Sequence, residues 1–171
     1  MGFAGASAAA DKQPSGTYSL EFRSRNSEFA GHSYVVARRT GADGRVQAER
    51  VTGFRPANIN TPVSATVRGV AGAVGTYKQD FTVKPTLSYK VNVTASQYRR
   101  AIAKIDELKR QPPTFRGLSQ NCNTCVGDVA TAARLSAPSS HADRPESYVS
   151  NLRELNNGDR RGGHKTAALR R

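Results

Sequence analysis

The sequence predicts an α+β fold in which an antiparallel sheet is packed against helices, and three observations lead to this prediction. In the first half of the chain, apolar and polar residues alternate in short stretches, as they do in half-buried strands. After residue 94 the apolar residues recur at spacings of three and four, which is typical of helices. The strand-like segments all precede the helix-like ones, whereas a parallel sheet would interleave the two.

The strand segments follow one another with turn signals between them. A first strand is expected at 17–25, and strands at 33–39 and 45–54 flank Asp43 and Gly44, a pair typical of hairpin turns. The other extended segments are 61–70, 77–84 and 87–93, and a glycine-rich stretch at 69–75 separates the first two.

Three helices are expected in the second half. Thr94 and Gln97 form a capping box that opens the first helix, and two prolines end it. The second helix begins close to Asn121 and ends near Ser136. The third spans 145–155 and opens with a proline, which suits a first helical turn.

The composition points to one basic domain. Residues 17–156 are expected to fold, residues 1–16 to be disordered, and residues 157–171 to form a flexible basic tail. The 171 residues carry 26 Lys and Arg against 13 Asp and Glu, a net charge of +13, of which the tail contributes +4 and the body +9. This surplus fits a generally basic surface, or an anionic partner such as nucleic acid, acidic lipid or a cell-wall polymer.

Several classes of function are disfavoured by the sequence. Zinc fingers, heptads behind a basic helix and aromatic-rich RNA-binding strands are not visible, so specific nucleic-acid binding is not expected. No apolar stretch approaches the roughly 20 residues that cross a bilayer, and no ordinary signal peptide is visible. We therefore expect neither a membrane span nor export through a cleaved leader.

Two residues stand out as candidates for catalysis. His32 follows Gly31 and opens a strand, so a sheet can hold its ring in place. Cys122 follows the expected N-cap Asn121, where the helix dipole favours a thiolate. Cys125 is expected to pack in the core. A redox pair or a zinc site is disfavoured because no strand directly precedes the two cysteines and no further cysteine could supply ligands, so neither metal nor cofactor is expected.

Four short motifs together resemble the circularly permuted NlpC-type branch of papain-like cysteine hydrolases. They are Gly31-His32-Ser33, Gly53-Phe54-Arg55-Pro56, Ser96-Gln97-Tyr98 and Asn121-Cys122-Asn123-Thr124. The resemblance implies a permuted papain-like fold.

The resemblance also implies roles for individual residues. Cys122 is implied as the nucleophile, with its backbone N–H in the oxyanion hole, and His32 as the general base and then acid. A third polar residue would orient the histidine. Thr52 lies opposite His32 if the hairpin has a five-residue loop, and Arg55 does if it has a two-residue turn. Glu49 lies several residues away in either register.

The function implied is cleavage of amide bonds in bacterial cell-wall peptides through a thioester intermediate. A monomeric antibacterial toxin fits, made in the cytoplasm and exported by a dedicated secretion system to the periplasm of a target cell, with an acidic immunity protein as partner. A cytoplasmic enzyme fits equally well. Two alternatives stay open: a non-catalytic basic module that binds an anionic polymer, and a papain-like lipid acyltransferase or thioesterase. The last requires an apolar surface around the site, and the sequence shows no long apolar run to provide one.

Overall fold

The computed structural model describes residues 16–26 and 31–158 and has the expected α+β architecture: a five-stranded antiparallel sheet with helices packed against it. In chain order the elements are β1 (Gly16–Arg25), β2 (His32–Gly41), β3 (Val46–Pro56), α1 (Val63–Thr66), β4 (Gly72–Gly75), α2 (Gln79–Thr82), β5 (Leu87–Val93), α3 (Ala95–Arg110), α4 (Cys122–Ala132) and α5 (Pro145–Gly158).

The strand order is β4-β3-β2-β1-β5, so the fifth strand pairs with the first. Tyr18 lies opposite Val93, and Ser24 lies opposite Leu87. The strands β1, β2 and β3 form a meander, and the chain then crosses over to add β5 beside β1. The strand β5 and the start of α3, which follows it, therefore lie at the opposite edge of the sheet from the short strand β4.

The two faces of the sheet have different partners. One face packs against α3, α4 and α5 to form the main core, which includes Leu20, Phe22, Val35, Ala37, Phe54, Ile105, Val126, Val129, Tyr148 and Leu152. The other face carries a smaller buried cluster of Tyr34, Val36 and Val51. Since side chains alternate along a strand, neighbouring residues of β2 belong to different environments.

The β2–β3 hairpin uses a three-residue loop, which differs from both alternatives considered for it. The Gly41 N–H donates to the Arg45 carbonyl at 2.8 Å, and Gly44 adopts a φ of +78°. A type I turn followed by a glycine in the left-handed region is a common hairpin loop because the glycine carries no Cβ to clash. A register shift between Arg39 and Thr40 accompanies it.

Two segments predicted as extended contain short helices instead. Residues 61–70 include α1, which follows Pro62 with its φ of −61°, and residues 77–84 include α2. Pro62 is the N-cap of α1, with an extended ψ of 142°, and its carbonyl accepts the Ala65 N–H at 3.0 Å, which closes the first turn.

The glycine-rich stretch supplies the strand β4, which was not predicted because glycine is depleted in strands. A Cβ at position 72 would collide with the Phe54 ring and the Pro113 carbonyl. Glycine is therefore required for the close approach of this edge strand.

The helix starts agree with the sequence, but two helix ends do not: α5 continues to Gly158 rather than ending at residue 155, and α4 ends early. Thr94 caps α3 with the expected capping box, and α5 begins at Pro145. The α4 helix ends at Ala132 rather than near Ser136, because Arg134 adopts a φ of 58° and the Leu135 N–H turns back to the Ala130 carbonyl at 2.9 Å.

The expectations for the two ends of the chain fall mostly outside the described residues. Gly16 belongs to β1, and residues 157 and 158 belong to α5. Residues 1–15 and 159–171 lie outside the described part. Within the part that is described, none of the helices combines the length and the apolar character needed to cross a bilayer.

Candidate active site

Cys122 is the first residue of α4, and Asn121 is its N-cap as expected. The Asn121 side chain accepts a hydrogen bond from the Asn123 N–H at 2.9 Å. In return, the Asn121 N–H donates to Thr124 Oγ1 at 3.1 Å, which completes a capping box. The thiol therefore lies at the positive end of a well-formed helix.

Two asparagines anchor this helix start to distant parts of the chain. Asn121 Nδ2 donates to the carbonyls of Gly117 at 2.7 Å and His141 at 2.8 Å. Asn123 Nδ2 donates to the Asp143 carbonyl at 2.7 Å. The sequence indicated the cap but not these loop contacts, because a loop carbonyl leaves no pattern in a sequence. The residues before and after Cys122 are therefore both anchored by side-chain hydrogen bonds.

Cys122 is a free, partly exposed thiol that lines a cleft of about 710 Å³. Arg25, Pro56, Phe115 and Leu118 also line this cleft. The cleft is large enough for a small ligand or for a segment of a polymer.

Cys125 has a different environment, as expected for a core residue. It is 1% exposed and belongs to the main core, and burial raises its pKa to about 12. Its sulfur is therefore a neutral thiol at neutral pH, and the two cysteines form no disulfide. Within residues 16–26 and 31–158, no three side chains of His, Cys, Asp or Glu gather as metal ligands.

His32 opens β2 and is buried on the face of the sheet that carries Tyr34. Its ring is stacked with Tyr34 at 6.0 Å between centroids and meets the edge of Tyr77 at 6.2 Å. A Cβ at Gly53 would collide with its Nε2. The imidazole is thus confined by aromatic rings and by bare backbone.

The carboxylate of Asp80 lies next to the His32 ring. Asp80 Oδ1 lies 3.7 Å from His32 Nε2 and accepts a hydrogen bond from Arg25 Nε at 3.0 Å. The Asp80 side chain is fully buried, and among the described residues its Oδ2 and the His32 Nε2 have no hydrogen-bond partner. Burial raises the pKa of Asp80, and the hydrogen bond from Arg25 opposes that shift.

Asp80 was missed because it lies in a segment predicted as a strand without a role. One signal could have found it: it is the single acidic residue between Glu49 and Asp106. A lone carboxylate in a long basic stretch is a reasonable partner for a histidine or an arginine.

The pKa of His32 is lowered from 6.5 to about 3. Burial is the main cause, and the positive charges of Arg25 and Arg55 add to it. The Arg55 guanidinium lies over the Tyr77 ring, 3.5 Å from its centroid. The imidazole is therefore neutral at pH 7, as a general base must be.

The register decides between the candidates for the third residue. Tyr34 pairs with Gly53, and continuing this pairing by two residues sets Arg55 level with His32. Thr52 pairs with Val35, whose side chain is in the main core on the other face. Glu49 pairs with Arg38, far along the strand. Of the three candidates, only Arg55 is level with His32. The acidic side chain near the imidazole is that of Asp80.

His32 and Cys122 lie at the same end of the molecule, because β2 and α4 are tied together there. Ser33 Oγ donates to Asn123 Oδ1 at 2.9 Å, which links the residues that follow His32 and Cys122. Ser33 therefore faces α4, while the His32 ring is on the opposite face of β2. No hydrogen bond joins the imidazole to Cys122 within the described part of the chain.

Comparison of the chain with protein-family models, with curated proteins and with solved structures finds no match.

Proposed function

We propose that the protein is a cysteine hydrolase of the permuted papain-like kind, with Cys122 as the nucleophile and His32 as the general base. The observation that carries this proposal is the free thiol at the capped start of α4, open to a cleft, beside a strand that begins with a buried neutral imidazole. Asp80 would be a positioning residue, since it lies on the Nε2 side of the ring.

The proposed chemistry assigns one step to each group. Because Nε2 faces Asp80, Nδ1 is the nitrogen left to take the proton from the Cys122 thiol. The thiolate attacks the substrate carbonyl carbon, and the Cys122 N–H stabilises the negative oxygen that forms. The imidazolium then protonates the leaving group, a thioester remains on Cys122, and water hydrolyses it to regenerate the thiol.

This chemistry requires the His32 ring to move from the face of β2 that it shares with Tyr34 toward the thiol. Catalytic hydrogen bonds are often long or poorly aligned before substrate binds, and they tighten in the complex. The Ser33 hydrogen bond to Asn123 keeps the first residues of β2 beside the start of α4, which bears Cys122.

Amide bonds of bacterial cell-wall peptides remain the substrate class that we propose. The stem peptides and the wall are anionic, and a body charge of +9 would raise the local substrate concentration. Action as a toxin in a target periplasm, with an acidic immunity protein, is part of the same proposal and rests on the resemblance of the four motifs.

The test uses purified protein and isolated muropeptides. We expect the wild type to release new amine termini and Cys122→Ala to release none, while Cys125→Ala serves as the matched cysteine control and keeps its activity. Asp80→Asn should lower kcat more than it raises KM, because it acts through His32. Equal cleavage by wild type and Cys122→Ala, or no cleavage by the wild type, would refute the proposal.

A second candidate, a hydrolase or transferase of lipid acyl groups, is favoured by one observation. Four large aliphatic side chains that line the cleft with Cys122 are 59% to 69% exposed: Ile59, Val63, Val67 and Leu118. The apolar surface that this activity needs is thus assembled from separate segments, although the sequence showed no long apolar run. Acyl thioesters and muropeptides offered side by side to the wild type would separate the two candidates.

A further inference from the structure

The cleft is lined by four exposed aliphatic side chains, which we call the apolar rim: Ile59, Val63, Val67 and Leu118. They are half of the eight large apolar side chains that are exposed among the described residues. Apolar side chains scattered singly over a surface are ordinary, whereas a cluster around one opening indicates an interaction site.

The segments that carry the rim are joined by backbone hydrogen bonds. The Val70 N–H donates to the Phe115 carbonyl at 3.0 Å, and the Phe115 N–H donates back at 2.8 Å. The Ala57 N–H donates to the Ala71 carbonyl at 2.8 Å. The rim is therefore held together as one surface.

Three exposed arginines border the rim. Arg68 follows Val67, and Arg144 lines the cleft. Arg116 lies against Gly69, where an added Cβ would come within 3.0 Å of its Nε. None of the three is paired with a carboxylate within residues 16–26 and 31–158.

We propose that this rim docks on the surface of an anionic phospholipid bilayer, with the aliphatic side chains inserted among the acyl chains and the arginines on the phosphates. Charge complementarity selects this occupant: unpaired guanidinium groups beside protruding aliphatic side chains match anionic headgroups above hydrocarbon. The cleft also carries two acidic residues, Asp143 and Glu146, which flank Arg144 in the chain, so the surplus positive charge beside the rim is that of Arg68 and Arg116. Docking does not depend on the proposed chemistry of Cys122.

The experiment measures sedimentation of the full chain with phosphatidylcholine vesicles that contain phosphatidylglycerol, and with vesicles of phosphatidylcholine alone. We expect binding to the anionic vesicles, and a loss of about tenfold or more in Val67→Asp and Leu118→Asp. The matched control is Val46→Asp, which makes the same charge change at a residue 55% exposed in the distant hairpin and should leave binding unchanged.

A second pair of variants tests the arginines. Arg68→Glu should weaken binding more than about fivefold, since each arginine near an anionic surface contributes about that factor. Arg45→Glu, at the 87% exposed hairpin side chain, makes the same charge change and should have less effect. All variants keep residues 159–171, so differences arise from the rim.

Two outcomes would overturn the proposal: no binding of the wild type to either vesicle, or rim variants that bind like their hairpin controls. We expect Cys122→Ala to bind vesicles as well as the wild type does. The docking proposal can therefore succeed even if the hydrolase proposal fails. Circular dichroism of each variant checks that it is folded.

Discussion

The stability of the protein should fall in mild acid because His32 is buried without its proton. In the folded chain the imidazole pKa is about 3, whereas in the unfolded chain it returns to about 6.5. Between these values the unfolded state binds one more proton than the folded state. The contribution is therefore fully present above pH 6.5 and is lost as the pH falls toward 3.

The expected magnitude follows from the size of the shift. One proton corresponds to about 1.4 kcal/mol per pH unit, so near pH 5 the free energy of unfolding should be about 2 kcal/mol lower than near pH 8. With an ordinary urea dependence for a domain of this size, the unfolding midpoint should move by about 1 M.

The assay is urea unfolding followed by circular dichroism at both pH values, for the wild type and His32→Gln. Asp80 contributes with the opposite sign: its raised pKa costs stability as the pH rises above the ordinary carboxyl value. The variant keeps Asp80 and loses the imidazole, so the difference between the two pH dependences isolates His32. Equal pH dependence in both proteins would show that the ring is not held neutral and would refute the reasoning.

Three further changes test the packing around the site. Gly53→Ala should destabilise by about 2 kcal/mol, because its Cβ would meet a ring confined by two aromatic side chains; its cross-strand neighbour Gly75, which has open space, should accept alanine within about 0.5 kcal/mol in the same urea titration. Asn123→Ala should cost about 2–3 kcal/mol by thermal unfolding because it removes buried hydrogen bonds to β2 and to a loop carbonyl, whereas Asn92→Ala, exposed on β5, should cost almost nothing. Phe22→Ala should cost about 3–5 kcal/mol in denaturant, and a much smaller loss would contradict its place in the core.

Much of the fold could be predicted because its signals are local. The alternation in β1, β2, β3 and β5 and the caps of α3 and α4 depend on residues that are close in sequence. The helices α1 and α2 and the strand β4 were missed because each is four residues long, too short for a period to be counted.

The site could be predicted in part for the same reason. Asn121 and Cys122 were found because an N-cap and the residue after it are neighbours in the chain. Asp80 reaches His32 across 48 residues of sequence, and its approach depends on the tertiary position of α2, which local spacing does not encode. The faces of β2 were also not predicted: Ser33, and not His32, is directed toward α4.

The pairing of β5 with β1 has a consequence for how the chain folds as it is synthesised. About sixty residues separate the end of β1 from the start of β5, so translation at about 5–20 residues per second leaves the outer edge of β1 unpaired for several seconds. An open strand edge invites pairing with other chains. Glu21 and Arg23, which pair with each other at 2.8 Å in the folded protein, place charges along that edge and would discourage such pairing until β5 emerges.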